Sequence, residues 1–240
     1  MDITIWDTSN RPIQVNGNDL LIAVDETGHE RFTDSKYPVF GLAACMCLGS
    51  EYENFIHKPW ERVKLGAGLK SSDALHAASI DLSNKKLITG LTTFFQSSKF
   101  GRIAIGCSNA TIFMIDINPI DLCVKVLFEN VRKAFDVYNP NNIVIVIEES
   151  SRLNKIYRKS FMDNRLYVSK KGVLTNIGLM RKSEGFFPLE IVDFIAQAYG
   201  NEIIRQLYKK PMVRKDVKSI FTNKEAKYSY NKYITEVTRI

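Results

Sequence analysis

The chain has 240 residues, with 33 Lys and Arg against 26 Asp and Glu, a net charge of +7. Its 45% hydrophobic content is enough to fill a packed core, which excludes a disordered or fibrous chain. No apolar run reaches the roughly 18 residues of a membrane helix, and residues 1–7 are acidic rather than basic-then-apolar, so neither a membrane nor a secreted protein is expected and a cytoplasmic one is.

Taken in order, residues 1–19 read as a short lead-in that ends in the turn signal Asn16-Gly17-Asn18-Asp19. Leu20-Leu21-Ile22-Ala23-Val24 then runs apolar into Asp25-Glu26-Thr27-Gly28, the pattern of a strand buried on both faces that ends in two carboxylates. A polar loop carrying His29 leads to a second apolar strand over 39–48, antiparallel to the first, with Cys45 and Cys47 on one face. No cysteine pair has zinc spacing, so all four, including Cys107 and Cys123, are expected to be reduced and buried.

Residues 51–63 have helical spacing through Phe55, Ile56, Trp60 and Val63, with Pro59 as a break. After a Gly/Lys/Ser loop over 65–72, Ser72 or Asp73 is placed to cap a helical turn that sets Asp73 and His76 on neighbouring positions. A helix over 82–97, a strand over 102–113 and an amphipathic helix over 121–137 follow, the last stopped at Asn139-Pro140. Ile143 to Ile147 is the strongest strand and again ends in two acids, Glu148 and Glu149. Residues 152–171 are very basic and start as a helix through Leu153, Ile156, Tyr157 and Phe161. A weak strand over 176–180 leads to Arg181-Lys182-Ser183. Pro188 then opens a helix whose apolar face, Leu189, Val192, Ala196, Tyr199 and Ile203, also carries Asp193.

Two strand ends and a late helix thus deliver acids toward the core. Each acid also has a structural reading: Asp25 as a turn cap, Asp193 as the partner of a buried Lys or Arg. Carboxylates drawn together repel, and a divalent cation removes that repulsion. Oxygen-only ligands favour Mg²⁺ or Mn²⁺, and such a centre suits phosphodiester hydrolysis. His76 is a candidate for moving a proton, ligating metal or meeting phosphate, or is a plain core or surface histidine. Residues 209–240 hold nine Lys and Arg against three acids, so the first 208 residues carry only +1. That tail interleaves its basic residues with Phe221, Tyr228, Tyr230 and Tyr233, which suits phosphate neutralisation and base stacking, though a solvated subdomain has the same composition.

Asp25-Glu26-Thr27-Gly28 after a strand, Glu148 ending a second strand, and the late helix from Leu189 to Ala196 with Asp193 resemble domain-of-unknown-function family 3800, whose members start with a strand into D-E-S-G. Asp73-Ala74-Leu75-His76-Ala77 is similar to an E-x-H-A segment of that family, and Arg181-Lys182-Ser183 sits where it has a strand ending in S-K. The resemblance spans residues 20–205. It implies an RNase H-like α/β fold, a mixed sheet flanked by helices, and matches Asp25, Glu148 and Asp193 to an acidic Mg²⁺-type centre. Thr27 replaces the usual serine, Glu148 a commoner aspartate, and Glu190 and Val192 a glutamine and an alanine. Whether Glu190 or Glu149 joins the centre stays open.

The expectation is one RNase H-like domain over 1–208 with a basic extension over 209–240. Its expected function is Mg²⁺- or Mn²⁺-dependent cleavage of DNA or RNA through a two-metal-type centre. Asp25 would bridge the metals, Glu148 and Asp193 complete the shell, and His76 or Glu26 assist proton transfer or substrate positioning. Lys209, Lys210, Arg214, Lys215 and Lys218, with the basic residues of 152–171, would hold phosphates. The alternative is a non-catalytic nucleic-acid-binding or assembly protein of a mobile-element or phage-defence system with a degraded site. A third reading is a small-molecule phosphohydrolase. A homodimer is compatible with the sequence.

Overall fold

The computed structural model describes residues 3–7, 11–97, 99–108, 118–164, 173–205 and 220. Strands β1 (Ile3–Trp6) and β2 (Pro12–Val15) form an antiparallel hairpin where only a lead-in was expected. Ile5 is fully buried, and Asp7 bridges to Gly178, so the hairpin packs beside the main sheet.

That sheet has five strands: β3 (Leu20–Gly28), β4 (Val39–Leu48), β5 (Gly101–Ser108), β6 (Ile143–Glu148) and β7 (Thr175–Met180), in the order β5-β4-β3-β6-β7. β4 runs antiparallel to both its neighbours, whereas β3, β6 and β7 are mutually parallel. The helices are α1 (Gly49–Tyr52), α2 (Lys58–Gly66), α3 (Lys85–Ser97), α4 (Pro119–Tyr138), α5 (Asn154–Asn164) and α6 (Phe187–Ile203). One face of the sheet packs α4 and α5 against Leu20, Ile22, Val24, Ile143, Ile145 and Ile147. The other packs α2, α3 and α6 against Leu21, Ala23, Val144 and Val146. The chain is therefore an α/β protein, a mixed sheet flanked by helices, as expected. Continuous apolar strands follow from this double cover, because neither face meets water.

Successive side chains of a strand point to opposite faces. Asp25 therefore joins Leu21 and Ala23 on the α6 face, and Glu26 joins Val24 on the α5 face. The parallel register pairs Val24 with Ile147, so Asp25 and Glu148 follow side by side on one face. The start of both strands is tied by Asp19, whose Oδ1 accepts from Asn142 Nδ2 at 2.9 Å and whose Oδ2 accepts from Asn16 N at 2.8 Å. Asn16-Gly17-Asn18-Asp19 is a turn as expected, and it also fixes this register.

Pro59 does not break its helix. α1 and α2 are continuous through a wide π turn, Glu53–His57, which takes up the proline's missing N–H and its ring one turn earlier. α4 starts at its cap Asn118, which accepts from Ile120 N at 2.9 Å, and ends at Asn139 in the left-handed region. The four cysteines are free and buried, as expected. Much of the expected 102–113 strand and of the basic 152–171 segment lies beyond the described residues, which stop at Ser108 and Asn164 there.

Gly28 turns the chain out of β3 with φ +80°, and a Cβ there would stand 1.9 Å from the carbonyl oxygen of Val39. Gly28→Ala is expected to lower the unfolding free energy by at least about 2 kcal/mol in a urea titration, since the new methyl meets backbone in a conformation that L residues rarely adopt. An unchanged midpoint would mean that the turn relaxes freely.

Candidate acidic centre

The acidic centre lies at the carboxyl ends of β3, β6 and β7, the place where open α/β sheets bind ligands. The three acids are Asp25 and Glu148 from the two adjacent parallel strands and Asp193 from α6. All approach one atom, the Nζ of Lys182, at 2.9, 2.6 and 3.5 Å respectively. Lys182 opens a 3₁₀ turn, Lys182–Glu184, directly after β7. Asp25 is 3% exposed. Its Oδ1 accepts from the backbone N–H of Glu26 at 2.7 Å, and its Oδ2 takes the ammonium.

Burial pushes the Asp25 carboxyl well above the usual carboxylate range; Lys182 pulls it back, and Glu148 and Asp193 push it up further. Burial also works against the Lys182 ammonium, but Asp25, Asp193 and Glu148 outweigh it and hold Lys182 above its ordinary value. Lys182 is therefore a lasting positive charge, while Asp25 keeps a proton more readily than a solvated acid does.

Asp193 Oδ2 also accepts from Ala77 N at 3.0 Å and lies 3.8 Å from His76 Nδ1. His76 is half exposed, at the rim. The helical turn expected around it does not form, and Asp73 and His76 are not stacked on one. Asp73 caps the Lys70 N–H at 2.9 Å, and the N–H groups that a helix would use turn instead to α6. Leu75 N donates to Glu190 at 3.2 Å, Ala77 N to Asp193, and Gln197 Nε2 to the Ala77 carbonyl at 3.2 Å.

Glu190 belongs to another cluster. It is 1% exposed and bonds Lys64 Nζ at 2.9 Å and Trp60 Nε1 at 2.9 Å, with Lys64 itself fully buried. Glu149 points to the surface and pairs with Arg181 Nε at 2.5 Å. Glu26 is on the opposite face from Asp25. It accepts from Tyr157 OH at 3.0 Å and pairs with Arg152, which also pairs with Glu30. Burial raises the Glu26 carboxyl, the Tyr157 hydrogen bond lowers it, and Glu148 raises it through space. Arg152 is thus committed to these two acids, whereas Lys155, Arg158 and Lys159 of α5 are exposed. Lys209, Lys210, Arg214, Lys215 and Lys218 lie outside the described residues.

Lys182 was not singled out by sequence reasoning as a site residue. The signal was available twice: buried carboxylates need a counter-charge, and Arg181-Lys182-Ser183 stands just before the helix that carries Asp193.

The donor set fits a hard cation: three carboxylates and no sulfur, with their nearest oxygens turned to one point. That point is filled by the Lys182 ammonium. Among the described residues no three His, Cys, Asp or Glu side chains stand in an arrangement that itself holds a metal ion. In chemical type these oxygens suit Mg²⁺ or Mn²⁺, but the place where they converge is held by the Lys182 ammonium. No described helix is long and apolar enough to cross a membrane.

No family model and no curated protein matches this sequence. Among solved structures, a chain from the complex of PCNA with RNase HII of Archaeoglobus fulgidus is similar over 79% of this chain and 77% of that one, with 14% identity and a TM-score of 0.44.

Two predictions follow from this geometry. Lys64→Met leaves Glu190 buried without its cation and is expected to cost about 3–5 kcal/mol. Adding Glu190→Gln, which keeps an acceptor for Trp60 and Leu75, should recover most of that loss. A double-mutant cycle by chemical denaturation measures it, and additive losses would show the two side chains to be uncoupled. The second concerns pH in metal-free protein. Asp25 titrates in the ordinary range when unfolded and above it when folded, so the folded state holds the extra proton between those values. Stability therefore falls as pH rises through that window, by at most about 1.4 kcal/mol per pH unit. Asp25→Asn removes this slope, so thermal melts from about pH 4 to 8 should move in favour of Asn as pH rises. Parallel curves would rule out a raised Asp25.

Proposed function

We propose that this protein is a Mg²⁺- or Mn²⁺-dependent nuclease with an RNase H-like centre, related to domain-of-unknown-function family 3800. The observation that carries the reading is the convergence of Asp25, Glu148 and Asp193, from three separate elements, on one buried point at the carboxyl end of the parallel strands. A purely structural carboxylate needs one partner; three acids brought to one place around a single ammonium leave negative charge that suits a divalent ion.

In this reading Asp25, Glu148 and Asp193 hold the metal, which when bound supplies an activated water and charge stabilisation for phosphodiester cleavage. His76, at the rim beside Asp193, exchanges a proton with the attacking or leaving oxygen. Glu190 supports the centre from behind by fixing the backbone next to His76. Glu26 keeps Arg152 and Tyr157 in place on the other face of the sheet. Lys155, Arg158 and Lys159 of α5, and the basic residues of 209–240, supply contacts to the phosphate backbone. The charge pattern supports a polymer rather than a small phosphate ester, because it extends well beyond one phosphate.

A second reading has its own support. Lys182 already partners all three acids, as it would in a site that has lost its metal and kept its fold. The protein would then bind nucleic acid without cutting it. Titrating Mn²⁺ and Mg²⁺ by calorimetry, with cleavage assays on labelled single- and double-stranded DNA and RNA, separates the two. The nuclease reading expects metal binding in wild type and a fall in cleavage rate of at least roughly a hundredfold in Asp25→Asn and in Asp193→Asn, about 2.7 kcal/mol of barrier. Nucleic-acid binding with no metal uptake and no cleavage in wild type would establish the binding protein instead.

A further inference from the structure

A groove of about 440 Å³ opens between α2 and α3, lined by residues that the acidic centre does not use. We propose that this groove is a binding track for single-stranded nucleic acid, an inference that rests on the nucleic-acid part of the reading above and on no metal.

The groove owes its shape to one close approach. A Cβ on Gly90 of α3 would stand 3.4 Å from Val63 Cγ1 of α2, so the glycine lets the two helices come near, and Val63 and Gly90 form an apolar floor. Arg62 stands on the α2 wall, and Lys85 and Lys86 stand on the α3 wall. All three are exposed, and among the described residues none of their side chains makes an ion pair or a hydrogen bond. The acids nearest in sequence are engaged elsewhere: Glu61 accepts from Ser71 Oγ at 2.9 Å, and Asp81 accepts from Ser83 Oγ at 2.7 Å. Nor does helix stability explain the lysines, since the first turn of α3 holds no acid and cations there oppose the helix dipole.

A single nucleic-acid strand matches cations on both walls of an apolar trough. Its phosphates neutralise the walls, and the face of a base covers the floor. Packed helices lie about 8–10 Å apart, axis to axis. That is too close for a duplex, whose major groove alone is about 12 Å wide, to enter between them.

The groove is tied to the acidic centre through the loop over 67–84. That loop leaves α2 after Gly66 and enters α3 at Lys85, so both its ends lie at the groove. Its middle is fastened to α6, by Leu75 N to Glu190, by Ala77 N to Asp193, and by Gln197 Nε2 to the Ala77 carbonyl. His76 is nine residues from Lys85, which limits their separation to about 32 Å. About ten nucleotides, at roughly 3.4 Å each, cover that distance, so one strand reaches from the groove to the rim of the centre.

The test is fluorescence anisotropy of labelled oligo(dT) and oligo(U) of about 20 nucleotides, twice the length that covers this distance. It uses the full chain in EDTA, so that no metal-dependent cleavage intervenes. Arg62→Gln, Lys85→Gln and Lys86→Gln together are expected to weaken binding at least roughly tenfold, and to lower the slope of log K against log salt by about 2, at about 0.7 for each phosphate contact. Gly66→Glu sets an acid in the groove where a Cβ meets nothing within 4 Å, so the fold is kept, as thermal melts will record. It is expected to weaken binding at least roughly threefold. Lys125→Gln, Arg132→Gln and Lys133→Gln remove as much charge from exposed positions of α4, on the other face of the sheet, and are expected to leave the affinity within about twofold. Wild-type affinity in both groove variants would overturn the inference and leave the nucleic-acid reading intact. An equal loss in the α4 variant would reduce the effect to net charge and overturn it as well. Polyglutamate binding that the groove variants abolish, with oligonucleotide binding unchanged in them, would assign the groove to an acidic protein partner instead. No binding of either oligonucleotide by wild type would remove the nucleic-acid reading itself, and the groove's part with it.

Discussion

A single ammonium holds together one buried acid, Asp25, and two half-buried ones, Glu148 and Asp193, and much of the fold serves to bring those four groups to one place. Charges buried singly would shift their protonation or unfold the site. Here the cost is met by proximity: Lys182 lies within ion-pair distance of Asp25, Glu148 and Asp193 at once. Proximity depends on register. β3 and β6 are parallel and in step, so two strands that each end in acids end at the same height. A slip of one residue would turn Asp25 to the other face and bring Glu26 forward in its place. The Asp19 clamp to Asn16 and Asn142 at the opposite end of the strands guards against that slip.

Helix α6 joins this centre to the rest of the α2–α3 face. It is buried on nearly every side, which explains its long apolar run better than a single apolar stripe does. Glu190, Asp193 and Gln197 follow one another along it at intervals of three and four, so they line one ridge. That ridge binds the loop carrying Leu75, His76 and Ala77. Glu190 is a structural pillar, closed by Lys64 and Trp60. One turn later, Asp193 faces the charged centre. Two acids three residues apart therefore have different roles because one meets a cation of the helix layer and the other meets a cation of the sheet edge.

Much of this was legible in the sequence. The strands that end in acids, their buried character, the α4 helix with its stop at Asn139 and the inward Asp193 all follow from period and composition, since burial on both faces leaves a continuous apolar run. The β1–β2 hairpin was not legible, because four-residue strands with mixed polarity leave no periodic signal. Nor was the loop around His76. Ser72-Asp73 has the chemistry of a helix cap, but the carboxylates of α6 take the N–H groups that the helix would need, and no local pattern records a partner more than a hundred residues away. Whether Glu190 joins the centre could not be read for the same reason: Glu190 and Asp193 are each explained by a distant cation.

The dipeptide Asp25-Glu26 shows why adjacency in sequence misleads about chemistry. On a strand, neighbours face opposite ways. Asp25 enters the α6 side and joins Lys182. Glu26 enters the α5 side, where Tyr157 donates to it and Arg152 links it to Glu30. The sheet thus carries a charged group on each face at the same point along β3. The two groups interact through space, since Glu148 and Lys182 both act on the Glu26 carboxyl. The second cluster therefore does more than fill the α5 side. It ties the Gly28 turn, through Glu30, to the start of α5, the helix that bears the exposed Lys155, Arg158 and Lys159. A strand that ends in two acids is in this way attached on one face to the acidic centre and on the other to the basic helix beside it.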